Sequence, residues 1–170
     1  ANNGFTTEDY PYPEIWCQVL KDMGLKRFEY FADHMDPLLF RPVVENRSRF
    51  FQDTQNTIRE FGLEVWSGAT ARVSYLQNML SHPWEDMRAV AMDWMRSFID
   101  LTRALDAEYI SGHYDVIPKP DVESRLQECI DRMCDQLVEA AHYGKEQGLK
   151  ALFIEVMHRA QIQPYTIDGA

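Results

Sequence analysis

The sequence has 170 residues, of which 45% are hydrophobic and 26% are charged, with only 8 glycines and 8 prolines. This composition excludes disordered and collagen-like proteins and predicts one folded domain over residues 1–170. The 27 acidic and 17 basic residues give a net charge of −10, which disfavours binding to nucleic acid and to anionic membrane surfaces.

The number of cysteines and the lack of long apolar runs predict the cellular compartment of the protein. The three cysteines are odd in number and form no Cys-x-x-Cys pair, so neither a disulfide framework nor a zinc knuckle is indicated. No apolar run in the sequence approaches the roughly 18 residues of a membrane span, and no export signal is visible. We therefore expect a soluble, cytoplasmic protein. The sequence does not begin with Met, and we expect both of its ends to be cut from a longer chain.

The predicted elements alternate between helix and strand in chain order. Only a strand stub at Ala1 precedes the first helix, which Pro13 opens. Short, bounded apolar runs predict four buried strands, at residues 27–31, 63–66, 109–113 and 151–156. Apolar residues spaced three and four apart predict three further helices, from about residue 44, over residues 84–105 and over residues 126–141.

A repeated signal joins each helix to the following strand. It is a residue suited to the left-handed end of a helix, followed by an apolar residue that enters the core. The signal occurs at Gly24-Leu25, Gly62-Leu63, Asp106-Ala107 and Gly148-Leu149. Each step is about 40 residues, the length of a helix, a strand and two loops. The sequence therefore predicts an array of βα units with a parallel sheet.

Two architectures satisfy such an array, an open doubly wound sheet and a (β/α)8 barrel. The sequence has no glycine-rich phosphate loop after any strand, and polar residues instead follow most of the predicted strands, which favours the mouth of a barrel. A complete barrel needs about 250 residues. We therefore expect an α/β fold, the N-terminal portion of a (β/α)8 TIM barrel with about four helices and strands to about the fifth. A half-barrel that pairs with a second copy is the alternative.

Two residues at neighbouring strand ends are the first candidates for chemistry. Glu155 ends an apolar run, where a carboxylate is costly without a cation or a proton. It could bind a divalent ion and act as acid or base, or it could be bonded to a neighbouring helix or Arg. His113 lies one strand earlier, after Gly112, which leaves room for close approach. A lone strand-end His is often structural, but its neighbour Glu155 favours a site.

Further polar residues are candidates for substrate binding. His158 and Arg159 lie just beyond Glu155 and could hold hydroxyl, carbonyl or phosphate oxygens, or could belong to a solvated loop. Asn3 could hydrogen-bond a polyol, although Asn is also a common turn residue. Other strand-end candidates are Asp33, His34, Trp66 and Ser67.

These residues resemble the xylose isomerase-like TIM-barrel family, which includes sugar and sugar-phosphate isomerases and epimerases. The resemblance extends over nearly the whole chain and rests on residues 1–5, on Gly112-His113, and on residues 153–157 followed by residues 164–167. It implies a divalent metal ion (Mn2+, Mg2+ or Co2+) bound by Glu155, with the other ligands on later strands. It also implies isomerisation or epimerisation of a small ketose or its phosphate through an enediolate, with Glu155 and His113 as catalytic residues and His158, Arg159 and Asn3 orienting the substrate.

Two alternatives stay open. One is a carbohydrate-binding or regulatory barrel without catalysis that has lost its metal. The other is an abasic-site endonuclease, because such enzymes share the fold and place metal-binding histidines near the position of His113. The net charge of −10 and the lack of a basic stripe disfavour the endonuclease. The expected partner is a small sugar or sugar phosphate, with homo-oligomerisation open.

Overall fold

The structure is a computed structural model that describes residues 9–10, 12–34, 44–70 and 72–166, with the side chains of residues 44–47 left out. Its helices are α1 (Pro13–Asp22), α2 (Val44–Glu60), α3 (Val73–Leu76), α4 (Glu85–Ala104) and α5 (Lys119–Glu146). Its strands are β1 (Arg27–Phe31), β2 (Glu64–Ala69), β3 (Tyr109–Gly112) and β4 (Ala151–Ile154). The predicted strand stub at Ala1 and the candidate Asn3 lie outside the described residues.

The described strands form one parallel sheet in the order β1-β2-β3-β4. This confirms the predicted alternation of helix and strand. The strand ends differ from prediction: β2 continues to Ala69, so Ser67 lies inside the strand and its predicted place at the strand end is wrong. The strand continues because Gly68 and Ala69 still pair with β1 on one side and with β3 on the other. Gly68 also allows close packing on α4, since an added Cβ would clash with Thr102 Oγ1. His113 and Glu155 are the first residues after β3 and β4, not the last within them.

The predicted helix-end signals are confirmed in all four places. Gly24, Gly62 and Gly148 have φ values of 73°, 71° and 91°, and Asp106 has a φ of 64°. In each case the residue after the signal donates its N–H to a carbonyl in the last turn of the helix, as Leu25 does to Leu20 at 3.1 Å. This bond and the left-handed residue together form the Schellman motif. Asp106 replaces glycine there, and Arg59 reaches its carboxylate at 2.5 Å.

The hydrophobic core lies between the helices and one face of the sheet. Trp16 of α1 and Phe98 of α4 are 1% and 0% exposed within it. The opposite face, here called the inner face, carries the half-exposed side chains of Trp66 and Phe153, whose rings stack with centroids 6.5 Å apart. No described helix is long and apolar enough to span a membrane.

Candidate active site

A cavity of about 500 Å³ opens on the inner face at the carboxyl ends of the strands. Every described strand contributes to it, directly or through the residues that follow it. Its polar lining includes Glu29, Asp33, Tyr75, Ser111, His113 and Glu155. In TIM barrels this end of the sheet carries the active site. The cavity is therefore the candidate site.

His113 and Glu155 lie side by side in this cavity. The His113 Nδ1 atom is 3.8 Å from Glu155 Oε2. The two backbones are fixed to each other because the Glu155 N–H donates to the Gly112 carbonyl at 2.8 Å. The His113 side chain is 3% exposed, whereas that of Glu155 is 58% exposed. The prediction that both residues face one cavity is confirmed, while their catalytic roles stay predictions.

The His113 imidazole is buried without a hydrogen-bond partner for either ring nitrogen within the described residues. Tyr75 covers it, with ring centroids 3.6 Å apart. Burial, with a smaller contribution from the charge of Arg159, lowers the pKa of His113 from 6.5 to about 4. The imidazole is therefore neutral near pH 7, with one nitrogen able to donate and the other able to accept a hydrogen bond.

The backbone beneath His113 is held by Thr70 from the end of β2. Its hydroxyl donates to the His113 carbonyl at 2.6 Å, and its N–H donates to the Ser111 carbonyl at 3.0 Å. Thr70 comes this close only because Gly112 lacks a side chain and has a φ of 129°. The predicted close approach at Gly112 is confirmed, and the approaching group is backbone and side chain of Thr70.

Of the other predicted site residues, some lie at the cavity and others lie away from it. Arg159 is exposed, and its guanidinium lies 6.0 Å from the centroid of the Tyr75 ring, at the rim of the site. His158 is exposed and does not line the cavity. Asp33 lines it and accepts a hydrogen bond from the Arg72 N–H at 3.1 Å. His34 instead packs near Trp16, with ring centroids 5.9 Å apart, away from the cavity.

Tyr75 and Glu29 are two of the cavity residues that the sequence did not predict. Tyr75 lies on the short helix α3, and its role depends on a tertiary contact with His113 that no local pattern reveals. Glu29 is the central residue of β1, and its carboxylate accepts hydrogen bonds from Ser67 and Ser111. Its signal was available, because a carboxylate between Phe28 and Tyr30 in a buried strand needs polar partners.

The fit of a divalent metal ion can be judged from the donor groups. The Glu155 carboxylate is exposed to the cavity, and one of its oxygens lies 3.8 Å from Nδ1 of the neutral His113. Carboxylate oxygen and neutral imidazole nitrogen suit Mn2+, Mg2+ or Co2+ in different degrees. Glu155 therefore fits as one ligand. The described residues contain no group of three or more His, Cys, Asp or Glu side chains that could complete such a site.

Comparison with known proteins decides the family. The model of the xylose isomerase-like TIM barrel matches residues 17–170. The chain belongs to this family. The four-stranded parallel sheet is thus part of a TIM barrel, as predicted, and the open doubly wound alternative is set aside. The order of strands and the cavity at their carboxyl ends agree with this assignment.

The chain is similar to several proteins whose names are those of sugar isomerases or epimerases. The chain is 24% identical over 141 residues to the D-erythrulose 1-phosphate 3-epimerase of Brucella abortus (strain 2308), over 82% of this chain and 44% of that protein. A Rhodospirillum rubrum protein, provisionally named a xylose isomerase, superposes with a TM-score of 0.81 at 24% identity, over 93% of this chain and 53% of that one. The D-psicose 3-epimerase of Clostridium cellulolyticum H10, whose structure was solved with D-tagatose, gives a TM-score of 0.66 at 16% identity, over 87% of this chain and 48% of that one. The chain thus spans about half the length of these proteins.

Proposed function

We propose that the protein is an isomerase or epimerase of a small ketose or ketose phosphate. The observation that carries this proposal is the pairing of an exposed carboxylate, Glu155, with a buried neutral imidazole, His113, at 3.8 Å in one cavity. Membership of the family and the sugar epimerases among the relatives support the substrate class.

Both reactions begin by removing a proton from the carbon next to a carbonyl. Glu155 is the base in this proposal, because its carboxylate reaches the cavity and can approach that carbon. The neutral His113 donates a hydrogen bond to the carbonyl or hydroxyl oxygen from its protonated nitrogen. Epimerisation needs a second acid that protonates the same carbon on its opposite face. Isomerisation needs Glu155 to deliver its proton to the former carbonyl carbon while a proton moves between the two enediolate oxygens.

Surrounding residues would support this chemistry. Tyr75 covers His113 and keeps water from the imidazole. Arg159, at the rim, can bind a carbonyl, hydroxyl or phosphate oxygen of the substrate, and His158 is its neighbour in the same loop. A cytoplasmic location and a homo-oligomeric state remain predictions.

A divalent ion (Mn2+, Mg2+ or Co2+) is the proposed cofactor, with Glu155 as one ligand. When bound, such an ion polarises the carbonyl and the neighbouring hydroxyl of the sugar. The carboxylate of Glu155 can hold a cation and still accept a proton with its second oxygen.

Exchange of substrate hydrogen with solvent tests the proposal across many sugars at once. Bound metal is first removed from the full-length protein with a chelator. The protein is then supplied with Mn2+, Mg2+ or Co2+ in deuterium oxide and incubated with a panel of ketoses and ketose phosphates. We expect metal-dependent incorporation of deuterium at the carbon next to the carbonyl of at least one sugar. NMR measures this incorporation. Binding of sugars without exchange or turnover across the panel would contradict the proposal and favour a barrel that binds carbohydrate without catalysis.

A further inference from the structure

Three neighbouring strands converge on one carboxylate beside the proposed catalytic pair. Glu29 of β1 accepts hydrogen bonds at its Oε1 atom from Ser67 of β2 at 2.9 Å and from Ser111 of β3 at 2.8 Å. Ser67 is fully buried and Glu29 is half-buried. Glu29 and Ser111 both line the cavity. The carboxylate therefore has a fixed position on the inner face.

Such a group is unusual inside a barrel, because interior positions are dominated by branched apolar residues. A desolvated carboxylate is unfavourable unless its oxygens are satisfied. The two serines satisfy only Oε1, and within the described residues Oε2 receives no hydrogen bond and Glu29 has no cationic partner. A carboxylate accepts hydrogen bonds and cannot donate them. The complementary ligand must therefore offer donors, as the hydroxyl groups of a polyol do.

The depth of Glu29 in the cavity fits one part of a ketose. Its partner Ser111 precedes His113 by two residues, which is about 7 Å along an extended chain. A ketohexose has four carbons beyond its carbonyl, so with the carbonyl between Glu155 and His113 its chain is long enough to bring the terminal hydroxyl within a hydrogen bond of about 2.8 Å of a group at that distance. The hydroxyl at the far end of a ketohexose therefore reaches the level of Glu29.

We propose that Glu29, held by Ser67 and Ser111, binds the terminal hydroxyl of the ketose chain at the end away from the reacting carbons. This inference rests on the proposed function for the orientation of the sugar. A phosphate at that end would meet the carboxylate with like charge, so a phosphorylated substrate binds with its phosphate away from Glu29. Glu29 is thus a specificity-determining residue for an uncharged polyol end.

Affinity for a deoxy sugar tests this site separately from turnover. D-fructose, 6-deoxy-D-fructose and 1-deoxy-D-fructose are titrated calorimetrically into the metal-loaded, full-length wild-type protein and its Glu29→Gln and Glu64→Gln variants. Glu64 is the matched control, because it lies in the neighbouring strand at the opposite end of the sheet and pairs with Arg27 on the surface. Gln at position 29 keeps an oxygen for both serines and removes the charge.

We expect 6-deoxy-D-fructose to bind the wild type about tenfold more weakly than D-fructose, since hydrogen bonds to charged groups are the stronger ones. This ratio of affinities falls to about twofold in Glu29→Gln and stays about tenfold in Glu64→Gln. The corresponding ratio for D-fructose and 1-deoxy-D-fructose is the same in the wild type and in both variants. In Ser111→Ala, which keeps the carboxylate and loses one of its supports, the ratio falls part of the way. A wild-type ratio near one, or an equal ratio in wild type and Glu29→Gln, overturns the inference.

The outcomes also separate this inference from the proposed function. A Glu29-dependent ratio in a protein that exchanges no substrate hydrogen supports the hydroxyl site and contradicts the catalytic proposal. Exchange on a ketose with a ratio that does not depend on Glu29 supports catalysis and overturns the hydroxyl site. A wild-type protein that binds none of the three sugars overturns the hydroxyl site, and the hydrogen-exchange experiment on the wider panel then decides the catalytic proposal by itself. A purely structural Glu29 changes the unfolding midpoint of Glu29→Gln and leaves the ratio as in wild type.

Discussion

The position of His113 depends on the residue before it. Gly112 has a φ of 129°, and a Cβ there would lie 2.1 Å from Thr70 Oγ1. That hydroxyl is the group that donates to the His113 carbonyl. A side chain at position 112 must therefore displace the support of the imidazole as well as strain the backbone.

Gly112→Ala should destabilise the protein more than the same change at another left-handed glycine. Gly24 has a φ of 73° but no atom within 4 Å of its added Cβ, so Gly24→Ala is expected to cost about 1 kcal/mol through backbone strain alone. Gly112→Ala adds the clash with Thr70 and should cost about 2 kcal/mol more. Denaturant unfolding of both full-length variants measures the difference. Equal losses would show that Thr70 is not a fixed neighbour.

Single residues differed in how far the sequence revealed them. Glu155 and His113 were predicted because each follows a short apolar run, and parallel strands bring their carboxyl ends together. Tyr75 reaches His113 from the short helix α3, whose position depends on tertiary contacts. The sequence signals that Glu29 needs polar partners but not which ones, because Ser67 and Ser111 are 38 and 82 residues away in sequence.

At the scale of elements, the segment that carries Tyr75 is tied to the residues after β3. Asp115 is 1% exposed and accepts backbone hydrogen bonds from Met79 at 2.6 Å, from Val116 at 2.8 Å and from Ser81. Burial raises the pKa of this carboxyl, and the hydrogen bonds oppose that shift. Asp115 therefore fixes the loop that follows α3, and with it the cover over His113.

Asp115→Ala should lower the free energy of unfolding by about 3 kcal/mol, because it leaves buried N–H groups without an acceptor. Asp93→Ala is the control, since Asp93 is a 69% exposed partner of Arg96, and it should change stability by less than about 1 kcal/mol. Urea unfolding measures both. Hydrogen exchange of residues 77–81 should accelerate in Asp115→Ala alone, and an unchanged exchange rate there would argue against this tie.

Helices and strands were predictable where a local signal marked them. The left-handed residue and following apolar residue marked four helix ends correctly because the Schellman motif is made within one turn of chain. The predicted end of β2 was wrong by three residues, because Gly68 and Ala69 are held in the strand by pairing with β1 and β3, which lie far away in sequence. The helix α3 has four residues, too few to show a period.

At the scale of the whole molecule, the inner face of the sheet determines how the chain is expected to associate with other chains. Trp66 is 46% and Phe153 is 45% exposed, and β1 and β4 are the edges of the described sheet. Exposed aromatic side chains on such a face favour association with other chains. The core on the outer face is by contrast well covered by helices.

Residues 1–170 expressed alone should therefore not behave as a stable monomer. We expect the isolated chain to bind a fluorescent dye that recognises exposed apolar surface. We also expect it to associate in a concentration-dependent way, which analytical ultracentrifugation measures. Phe153→Ser should reduce association, whereas Val138→Ser, at a 56% exposed position on the outer helix α5, should not. A soluble monomer with cooperative unfolding would contradict this expectation, and a tight symmetric dimer would favour paired half-barrels.

The turnover of Glu155→Gln in the full-length protein tests the central claim most directly. Gln keeps the shape of the side chain and removes both the charge that holds a divalent ion and the basicity that accepts a proton. We predict a loss of turnover of about a thousandfold or more with a change in unfolding free energy below about 1 kcal/mol, while Glu64→Gln retains activity. Retained metal and undiminished turnover in Glu155→Gln would contradict the account, as would a lowered melting temperature with full activity in the folded fraction.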